Sequence, residues 1–363
     1  MAKLQQKTIL VLILSLCLVW GYPLRAAQES EGPMVKSKKA ASKGTKKKKA
    51  KRSTRKKKLK KTTSHQPKKS HPSPRAAVVP LPEEKSRLLE GPAAPPVIIN
   101  GSPIQNLVEN EIIQLKALRQ LLPGDEVSLQ VYDLNAKKML ADINGSVIRN
   151  AASLIKLFVM MAVYDAMARQ ELQETPEIDR HLYRMIALSH NGSTNTLILL
   201  LGHGDAQKGM QTINALVRAL GFSGTHIREL IPDGGKTYAN QTSTSDTTLF
   251  YRLLYDQKLI SPYYSQKMNE ILLKNIHLRI KTAQINQDGV AVADKTGFVR
   301  GLNGDCGIVY QKGLHSGCDY VLSIIIENKS RPSDRGWGKK KTAVIRQLSN
   351  LIYQSLKNGQ VKS

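Results

Sequence analysis

Cysteine and aromatic residues are scarce in this chain, and each shortage excludes a class of protein. Three Cys in 363 residues exclude a disulfide-rich scaffold, and no zinc-type spacing of Cys or His occurs. Aromatic residues make up only 5%, and none lies between Lys36 and Arg75, so this segment has no ring to stack on nucleic-acid bases. The N-terminal apolar run, Ile9 to Trp20, is shorter than the about 20 residues of a membrane-spanning helix.

Acidic residues are also few, with 28 Asp+Glu against 55 Lys+Arg and a net charge of +27. The imbalance is local, because the segment from Lys36 to Arg75 holds 19 Lys or Arg and no Asp or Glu, which leaves +8 for the rest of the chain. A segment with one sign of charge and almost nothing apolar to bury is expected to be disordered. The hydrophobic content of 41% is ample for a packed domain elsewhere in the chain.

Three regions follow from this composition. Residues 1–27 have basic residues, then the apolar run, then small residues, which predicts a signal peptide. An uncleaved membrane anchor is the alternative, because Leu24 and Arg25 fit a cleavage site poorly. Residues 28–97 are predicted to be a disordered Lys-rich and Pro-containing linker, and residues 98–363 one domain.

The order of apolar patterns in this domain predicts its fold class. The predicted elements are a helix over 104–121, strands over Val127–Leu134 and Met139–Ile143, a long apolar helix over Ser153–Met167, further helices to about Leu254, strands over Val290–Val299, Cys306–Gln311 and Tyr320–Glu327, and a final helix with one apolar face over 344–356. This order predicts an α+β fold, in which one antiparallel five-stranded sheet is flanked by helices and contains an inserted all-helical subdomain.

Three short motifs carry candidate chemistry: Ser153-Leu154-Ile155-Lys156, Ser189-His190-Asn191 and Lys295-Thr296-Gly297. The first places a hydroxyl and an amine three residues apart, on the same side of a helix. Serine is a poor nucleophile unless a base takes its proton, and lysine is such a base only if burial or another cation lowers its pKa. Lys156 lies in an apolar helix, and Lys295 is the candidate second cation.

The other polar groups of these motifs suit the same reaction. Ser189 can relay a proton to a leaving nitrogen, Asn191 can hold both Lys156 and a substrate amide, and Thr296 can bind a substrate carboxylate. Each motif alone is common, and a lone Ser-x-Asn is usually a helix cap or a turn. Together they are more specific, because the first opens a buried helix, the second lies between helices and the third is on a strand.

With these motifs the sequence resembles the penicillin-recognising serine hydrolases, and within them the class A β-lactamases. The likeness covers most of 104–358: Asn150 to Leu157 resembles the nucleophile helix of that family, Ser189 to Asn195 its second motif, and Asn303 to Val309 the strand after its third motif.

The resemblance implies a role for each motif residue. Ser153 would be the acylated nucleophile, Lys156 its general base, Ser189 the proton shuttle and Lys295 an electrostatic partner. The substrate would be bound by Asn191, Thr296, Gly297 and Phe298. The backbone N–H groups of Ser153 and Phe298 would form the oxyanion hole, in which one donor is worth about 3 kcal/mol. No metal or cofactor is expected.

One element of the class A pattern is missing. In that class a Glu-Pro-x-x-Asn loop activates the water that hydrolyses the acyl-enzyme, whereas here Ile231 precedes Pro232 and Gly235 stands in place of the asparagine. Glu229 or Asp233 would have to supply the base through a rearranged loop, and otherwise each is a solvated loop carboxylate. Because general-base help is worth about 10²–10⁴-fold, slow deacylation is predicted.

Further departures concern the cleft. Only 36 positions separate Ser153 from Ser189, which predicts a shortened wall and a bulky, polymer-like substrate. His190 replaces an aspartate of the family pattern, and a packing or capping role is predicted for it. Arg300 follows the third motif and either binds a substrate carboxylate or faces solvent.

Two cysteines, Cys306 and Cys318, lie on or next to strands that should be neighbours. In an exported protein they would form a cross-strand disulfide, and two buried thiols are the equal alternative.

The sequence therefore predicts an exported, monomeric serine acyl hydrolase or transferase, with β-lactams or D-Ala-D-Ala peptidoglycan peptides as substrates. The alternative is a catalytically weak wall- or polyanion-binding protein with the same fold. Lysine runs bind any polyanion. The predicted partner of the Lys-rich segment is an anionic wall polymer or a membrane surface, and not a specific nucleic acid.

Overall fold

A computed structural model describes residues 102–232, 234–287, 289–311, 319–334 and 336–358. The predicted signal peptide, the predicted linker, Asp233 and Cys318 lie outside these residues. Within the described part, no helix is both long enough and apolar enough to cross a membrane. The elements, in chain order, are α1 (Pro103–Ala117), β1 (Glu126–Asp133), β2 (Lys138–Ile143), β3 (Arg149–Asn150), a 3₁₀ turn (Ala152–Ile155), α2 (Lys156–Ala168), α3 (Pro176–Ile186), α4 (Asn191–Leu201), α5 (Ala206–Ala219), β4 (Gln241–Thr242), α6 (Thr244–Tyr255), α7 (Pro262–Leu272), β5 (Val290–Val299), β6 (Leu302–Gln311), β7 (Tyr320–Glu327) and α8 (Trp337–Lys357).

The main sheet has the strand order β2-β1-β7-β6-β5, and every neighbouring pair is antiparallel. The N-terminal hairpin β1–β2 joins the C-terminal strands through the β1–β7 pairing, and the helices α2 to α7 are inserted between the two parts of the sheet. The predicted α+β architecture is therefore confirmed. Among the described residues, strand β5, which carries the third motif, is at the edge of this sheet.

The sheet is buried on both faces. Ile324 and Ile326 of β7 belong to the core cluster that includes the buried faces of α1 and α8. Ile325, between them, belongs to the other cluster, which includes residues of α2 to α7. Because successive side chains of a strand point to opposite faces, one apolar run serves both cores. Helix α2 is the centre of the second core, and 11 of its 13 residues are buried.

Several boundaries differ from the sequence prediction: the helix predicted over 104–121 ends at Ala117, β1 and β2 each begin one residue earlier, and three larger differences have identifiable causes. Strand β6 begins at Leu302 and not at Cys306, because Gly301, with φ +84°, turns the chain tightly enough to pair Val299 with Leu302. Helix α8 begins at Trp337, whose buried indole donates to Asp125 at 3.0 Å. The apolar helix predicted from Ser153 begins as the 3₁₀ turn and becomes α-helical at Lys156.

Candidate active site

Ser153 lies in the 3₁₀ turn between β3 and α2, and the backbone around it is firmly held. The N–H of Ala151 donates to the carbonyl of Asn240 at 2.8 Å, and the N–H of Ala152 donates to Oδ1 of Asn150 at 2.7 Å. Ala152 has φ +43°, a left-handed conformation that costs energy for a residue with a Cβ. These bonds set the orientation of the turn from which the Ser153 hydroxyl projects.

Strand β5 packs directly on this turn because residue 297 is glycine. A Cβ at Gly297 would lie 2.9 Å from Cγ of Leu154 and 3.2 Å from the carbonyl oxygen of Ala151. Glycine is therefore needed for the close approach. The same approach places the strand that carries Phe298 against the turn that carries Ser153, which is what an oxyanion hole formed by their backbone N–H groups would require.

The Lys156 amine is completely buried and lies among four oxygen atoms. It is 2.6 Å from the carbonyl oxygen of Ser189, 2.8 Å from Oδ1 of Asn191, and 3.1 Å from the hydroxyls of both Ser153 and Ser189. A carbonyl oxygen can only accept, so two N–H bonds of the amine are used by Ser189 O and Asn191. In the neutral amine the lone pair is then left for a hydroxyl proton.

The electrostatics favour this neutral form. Burial, followed by the charge of Lys295, lowers the pKa of Lys156 from its ordinary value to about 6. At pH 7 most of the amine is therefore unprotonated and able to take a proton from the Ser153 hydroxyl 3.1 Å away.

Ser189 connects the two buried amines. Its hydroxyl is 3.1 Å from the Lys156 Nζ and 3.2 Å from the Lys295 Nζ, and Lys295 also donates to the carbonyl of Thr296 at 3.0 Å. Ser189 has φ +55°, a second left-handed backbone at the site. Burial lowers the pKa of Lys295 to about 8, although the nearby Asp294 and Asp305 raise it. At pH 7 Lys295 is therefore a cation beside a mostly neutral Lys156.

Two buried carboxyl groups behind Lys295 were not identified from the sequence. Asp294 and Asp305 are 1% and 0% exposed, and burial together with their mutual repulsion raises the pKa of Asp294 well above its ordinary range. Burial raises the pKa of Asp305 to about 6. The pair therefore retains a proton near neutral pH. The available signal in the sequence was a carboxylate directly before Lys295 on a buried strand, and its partner Asp305 is eleven residues further along the chain.

The second motif is positioned by the start of α4. His190 is the N-cap residue of this helix, since its Nδ1 accepts from the N–H of Ser193 at 3.0 Å. The capping role predicted for His190 is thus confirmed. The cap fixes the start of the helix at Asn191, whose side chain contacts the Lys156 amine.

The remaining predicted substrate-binding residues lie on β5. Thr296 is 4% exposed and pairs with Asp305, whereas Phe298 is 52% exposed and its ring contacts Gly338 at the start of α8. Together with Gly297 they follow Lys295 along the edge strand.

The segment between α5 and β4 has no carboxylate at the position expected for a hydrolytic base. Ile231 is 3% exposed, and its backbone is held on both sides by Asn195, whose Nδ2 donates to the Ile231 carbonyl at 2.8 Å and whose Oδ1 accepts from its N–H at 2.9 Å. Gly235 has φ +72°, and a Cβ there would lie 2.9 Å from Nδ2 of Asn191. The loop therefore packs against Asn191. At the two positions where the class A pattern has a glutamate and an asparagine, it carries Ile231 and Gly235.

The carboxylate of Glu229 is hydrogen-bonded to other residues of its own loop. Its Oε1 accepts from the Thr237 hydroxyl at 2.6 Å and from the N–H groups of Tyr238 at 2.8 Å and Ala239 at 3.0 Å. Burial opposes ionisation, but these bonds hold the pKa of Glu229 below its ordinary value. Of the two candidate bases, Glu229 thus has a structural role, and Asp233 is outside the described residues.

We expect Glu229→Ala to lower the free energy of unfolding by about 2 kcal/mol, because one buried and two half-buried donors lose their acceptor. The matched control is Glu177→Ala, whose side chain is 73% exposed and should cost about 0.5 kcal/mol. Denaturant unfolding at pH 7 measures both. Since the folded-state pKa is lowered, the contribution of Glu229 should be lost as the pH falls through that pKa. Equal effects of the two substitutions would contradict the structural role.

Cys306 is buried on β6 and has a free thiol, and burial raises its pKa to about 12. Its predicted partner, Cys318, lies outside the described residues.

Comparisons with known proteins show the family and the fold. The family model described as the β-lactamase enzyme family matches residues 112–181 and 173–356. The structure of PBP-A is similar over 73% of this chain and 99% of its own, with 22% identity and a TM-score of 0.58. A β-lactamase from Sphaerobacter thermophilus DSM 20745 is similar over 70% and 98%, with 20% identity and a TM-score of 0.58.

A mutant of PBP-A, solved as an acyl-enzyme complex with penicillin-G, is similar over 70% of this chain and 97% of its own, with 22% identity and a TM-score of 0.57. At these identities the solved structures show a shared fold. The comparison with curated proteins gave no match. Because the family model covers most of the described domain, the chain belongs to the β-lactamase enzyme family and is a serine hydrolase.

Proposed function

We propose that the protein is an exported active-site serine enzyme that forms an acyl-enzyme with β-lactams, with D-Ala-D-Ala ends of peptidoglycan peptides, or with both. The observation that carries the proposal is the buried Lys156 amine, 3.1 Å from the Ser153 hydroxyl and with a pKa lowered to about 6. A base of this kind has the right protonation state at neutral pH and is within reach of the proton that it must remove. The PBP-A complex with penicillin-G supports the β-lactam part of the proposal.

In the proposed acylation step, the Ser153 oxygen attacks the carbonyl carbon while its proton moves to the Lys156 Nζ. The carbonyl π electrons move to its oxygen, which accepts from the backbone N–H groups of Ser153 and Phe298. When the C–N bond breaks, the leaving nitrogen needs a proton. The Ser189 hydroxyl, 3.1 Å from the Lys156 Nζ, donates it and regains one from Lys156, so Lys156 ends the step as a neutral amine.

The positive Lys295 stabilises charge on this relay from 3.2 Å. On the substrate side, we assign the carboxylate of the leaving group to the region of Thr296 and the substrate amide to Asn191 and the edge of β5. These groups lie on both sides of Ser153, so they can hold an extended substrate across the nucleophile.

Deacylation is proposed to be slow. Ile231 and Gly235 supply neither a base nor a polar side chain for a hydrolytic water, and Glu229 is engaged by Thr237, Tyr238 and Ala239. The short span between Ser153 and Ser189 supports a broad cleft for a polymer-like substrate. The Lys-rich segment 36–75 is proposed to hold the enzyme at an anionic wall polymer or membrane surface.

Intact mass spectrometry tests the proposal. After mixing with penicillin-G, the protein should gain the mass of one penicillin, the adduct should map to Ser153, and it should persist for minutes or longer. Fast return to the free mass would show an efficient β-lactamase, and no adduct at all would overturn the proposed acylation. Parallel incubation with a peptide ending in D-Ala-D-Ala, followed by measurement of released D-Ala, tests the peptidase part.

A further inference from the structure

A cavity of about 290 Å³ lies past the C-terminal end of β5. Its walls come from the end of β5 and the following turn, from β3, from the loop at Tyr238, and from the segment after β7. We call it the acyl-side cavity and define it by Asn150, Tyr238, Val299, Arg300, Lys329 and Arg331. Two of its lining residues are close in sequence to the site: Asn150, which also holds the Ser153 turn through its bond to the Ala152 N–H, and Val299, which follows Phe298 on β5.

The charges of the cavity are unbalanced. Arg149 and Glu327 also line it, but Arg149 is buried and paired with Glu126 and, at 3.6 Å, with Glu327. The three other cations, Arg300, Lys329 and Arg331, make no ion pair with any described residue. The lining therefore carries three cations outside the ion pairs of the described residues, although Lys329 is near enough to Glu126 to lower the pKa of that carboxyl.

Two of these cations are held in place. The Arg331 guanidinium lies over the Tyr238 ring, 3.6 Å from its centre, and the Tyr238 hydroxyl donates to the carbonyl of Arg300 at 3.3 Å. The Nε of Arg300 donates to the carbonyls of Arg331 at 3.0 Å and Pro332 at 3.2 Å. Fixed guanidinium groups lose little side-chain freedom on binding and match the planar shape of a carboxylate.

The direction of the substrate along β5 indicates which part of it would reach this cavity. In the proposed function, the leaving-group carboxylate lies near Thr296 and the reacting carbonyl near Phe298. The acyl part therefore continues toward Val299 and Arg300. Because an extended chain advances about 3.3 Å per residue, Arg300 lies about 7 Å beyond Phe298. A side chain one residue before the scissile pair spans that distance.

We propose that the acyl-side cavity binds a carboxylate carried by the acyl part of a peptide substrate. This inference rests on the proposed function and adds a substrate class to it, namely peptides with an acidic side chain just before the D-Ala-D-Ala end. Arg300, Arg331 and Lys329 are then specificity residues. They take no part in the proton transfers of Ser153, Lys156 and Ser189.

Equilibrium binding separates this subsite from the chemistry. The full chain with Ser153→Ala is titrated with two peptides ending in D-Ala-D-Ala, one with a glutamate immediately before that end and one with a glutamine. The glutamate peptide should bind about tenfold more tightly at low salt, with a smaller preference at high salt. Adding Arg300→Gln and Arg331→Gln should lower the preference to the level that the Lys-rich segment alone produces, and Lys329→Gln, which removes a side chain with no hydrogen bond among the described residues, should reduce it in part.

The matched control is Arg180→Gln on α3, whose side chain is 61% exposed, and it should leave the preference intact. The Lys-rich segment is present in every variant, so its non-specific attraction to the glutamate peptide is the same in each, and the change in preference between variants measures the subsite. Equal binding of the two peptides by the Ser153→Ala chain, or a preference that is undiminished after loss of Arg300 and Arg331, would overturn the subsite, as would equal weakening of both peptides. The proposed function fails separately, if penicillin-G forms no adduct on Ser153 of the unmodified chain.

Discussion

Replacing Lys156 by methionine is expected to lower the rate constant of Ser153 acylation by about 10²–10⁴-fold, the usual contribution of a general base. The unmodified enzyme should show a rate that rises with pH up to about 6, where the Lys156 amine loses its proton, and falls above about 8, where Lys295 loses its charge. In Lys156→Met the lower limb should vanish, because no base titrates there. Stopped-flow acylation by a reporter β-lactam between pH 5 and 9 measures both effects.

The control for charge and fold is Lys208→Met on α5, which should behave like the unmodified enzyme because Lys208 is exposed and far along the chain from the motifs. Methionine fills most of the volume of lysine, so the variant should remain folded, which circular dichroism verifies. Ser153→Ala, which lacks the proposed nucleophile, gives the background signal of the assay. A Lys156→Met enzyme with the full rate and an unchanged pH profile would assign the base to another residue.

The second large effect is expected at Ile231. Ile231→Glu places a carboxylate before Pro232, as in the Glu-Pro-x-x-Asn loop of the class A β-lactamases that the sequence resembles. The two hydrogen bonds between the backbone of residue 231 and Asn195 should stay in place. Because its side-chain position is buried, the new carboxyl will have a raised pKa, which suits a base near neutral pH. Hydrolysis of the penicillin adduct should accelerate by about 10², the lower end of general-base effects, since Gly235 offers no second group to hold the water.

The matched control for that change is Ile231→Gln, which has the same shape and polarity but cannot accept a proton from water. It should leave the adduct as long-lived as in the unmodified enzyme. Adduct lifetime is followed by intact mass after removal of free penicillin. If the glutamine variant were as fast as the glutamate variant, the gain would come from loosening of the loop, and the assignment of slow deacylation to the missing base would be wrong.

The expected pH profile of acylation depends on the environment of the two lysine amines in the cleft. Burial is the largest cause of the lowered pKa of Lys156 and of Lys295, and the proximity of the two amines adds to the first. The half-protonated pair Asp294 and Asp305 lies behind Lys295 and keeps it charged to a higher pH than burial alone would. The site thus has one neutral and one charged lysine on either side of the Ser189 hydroxyl.

The sequence determined the order of the elements and the three motifs, because both depend on local patterns. Period-two and helical apolar spacing located β5 and β7 with their exact ends, and the spacing of Ser153 and Lys156 indicated a shared face. Where the pattern was weak, as at the start of β6, the boundary was missed: Gly301 and the pairing of Val299 with Leu302 extend the strand through residues that are not apolar.

What the tertiary structure alone decided is the chemistry of the charged groups. The sequence left Glu229 open as a hydrolytic base, and only the fold shows that Thr237 and its neighbours already bind its carboxylate. Likewise, only the fold shows that Arg300 lies beside Arg331 and Tyr238. The physical reason is that a pKa, a free carboxylate or an unpaired cation depends on burial and on partners distant in sequence, whereas a motif records only which residues are near each other along the chain.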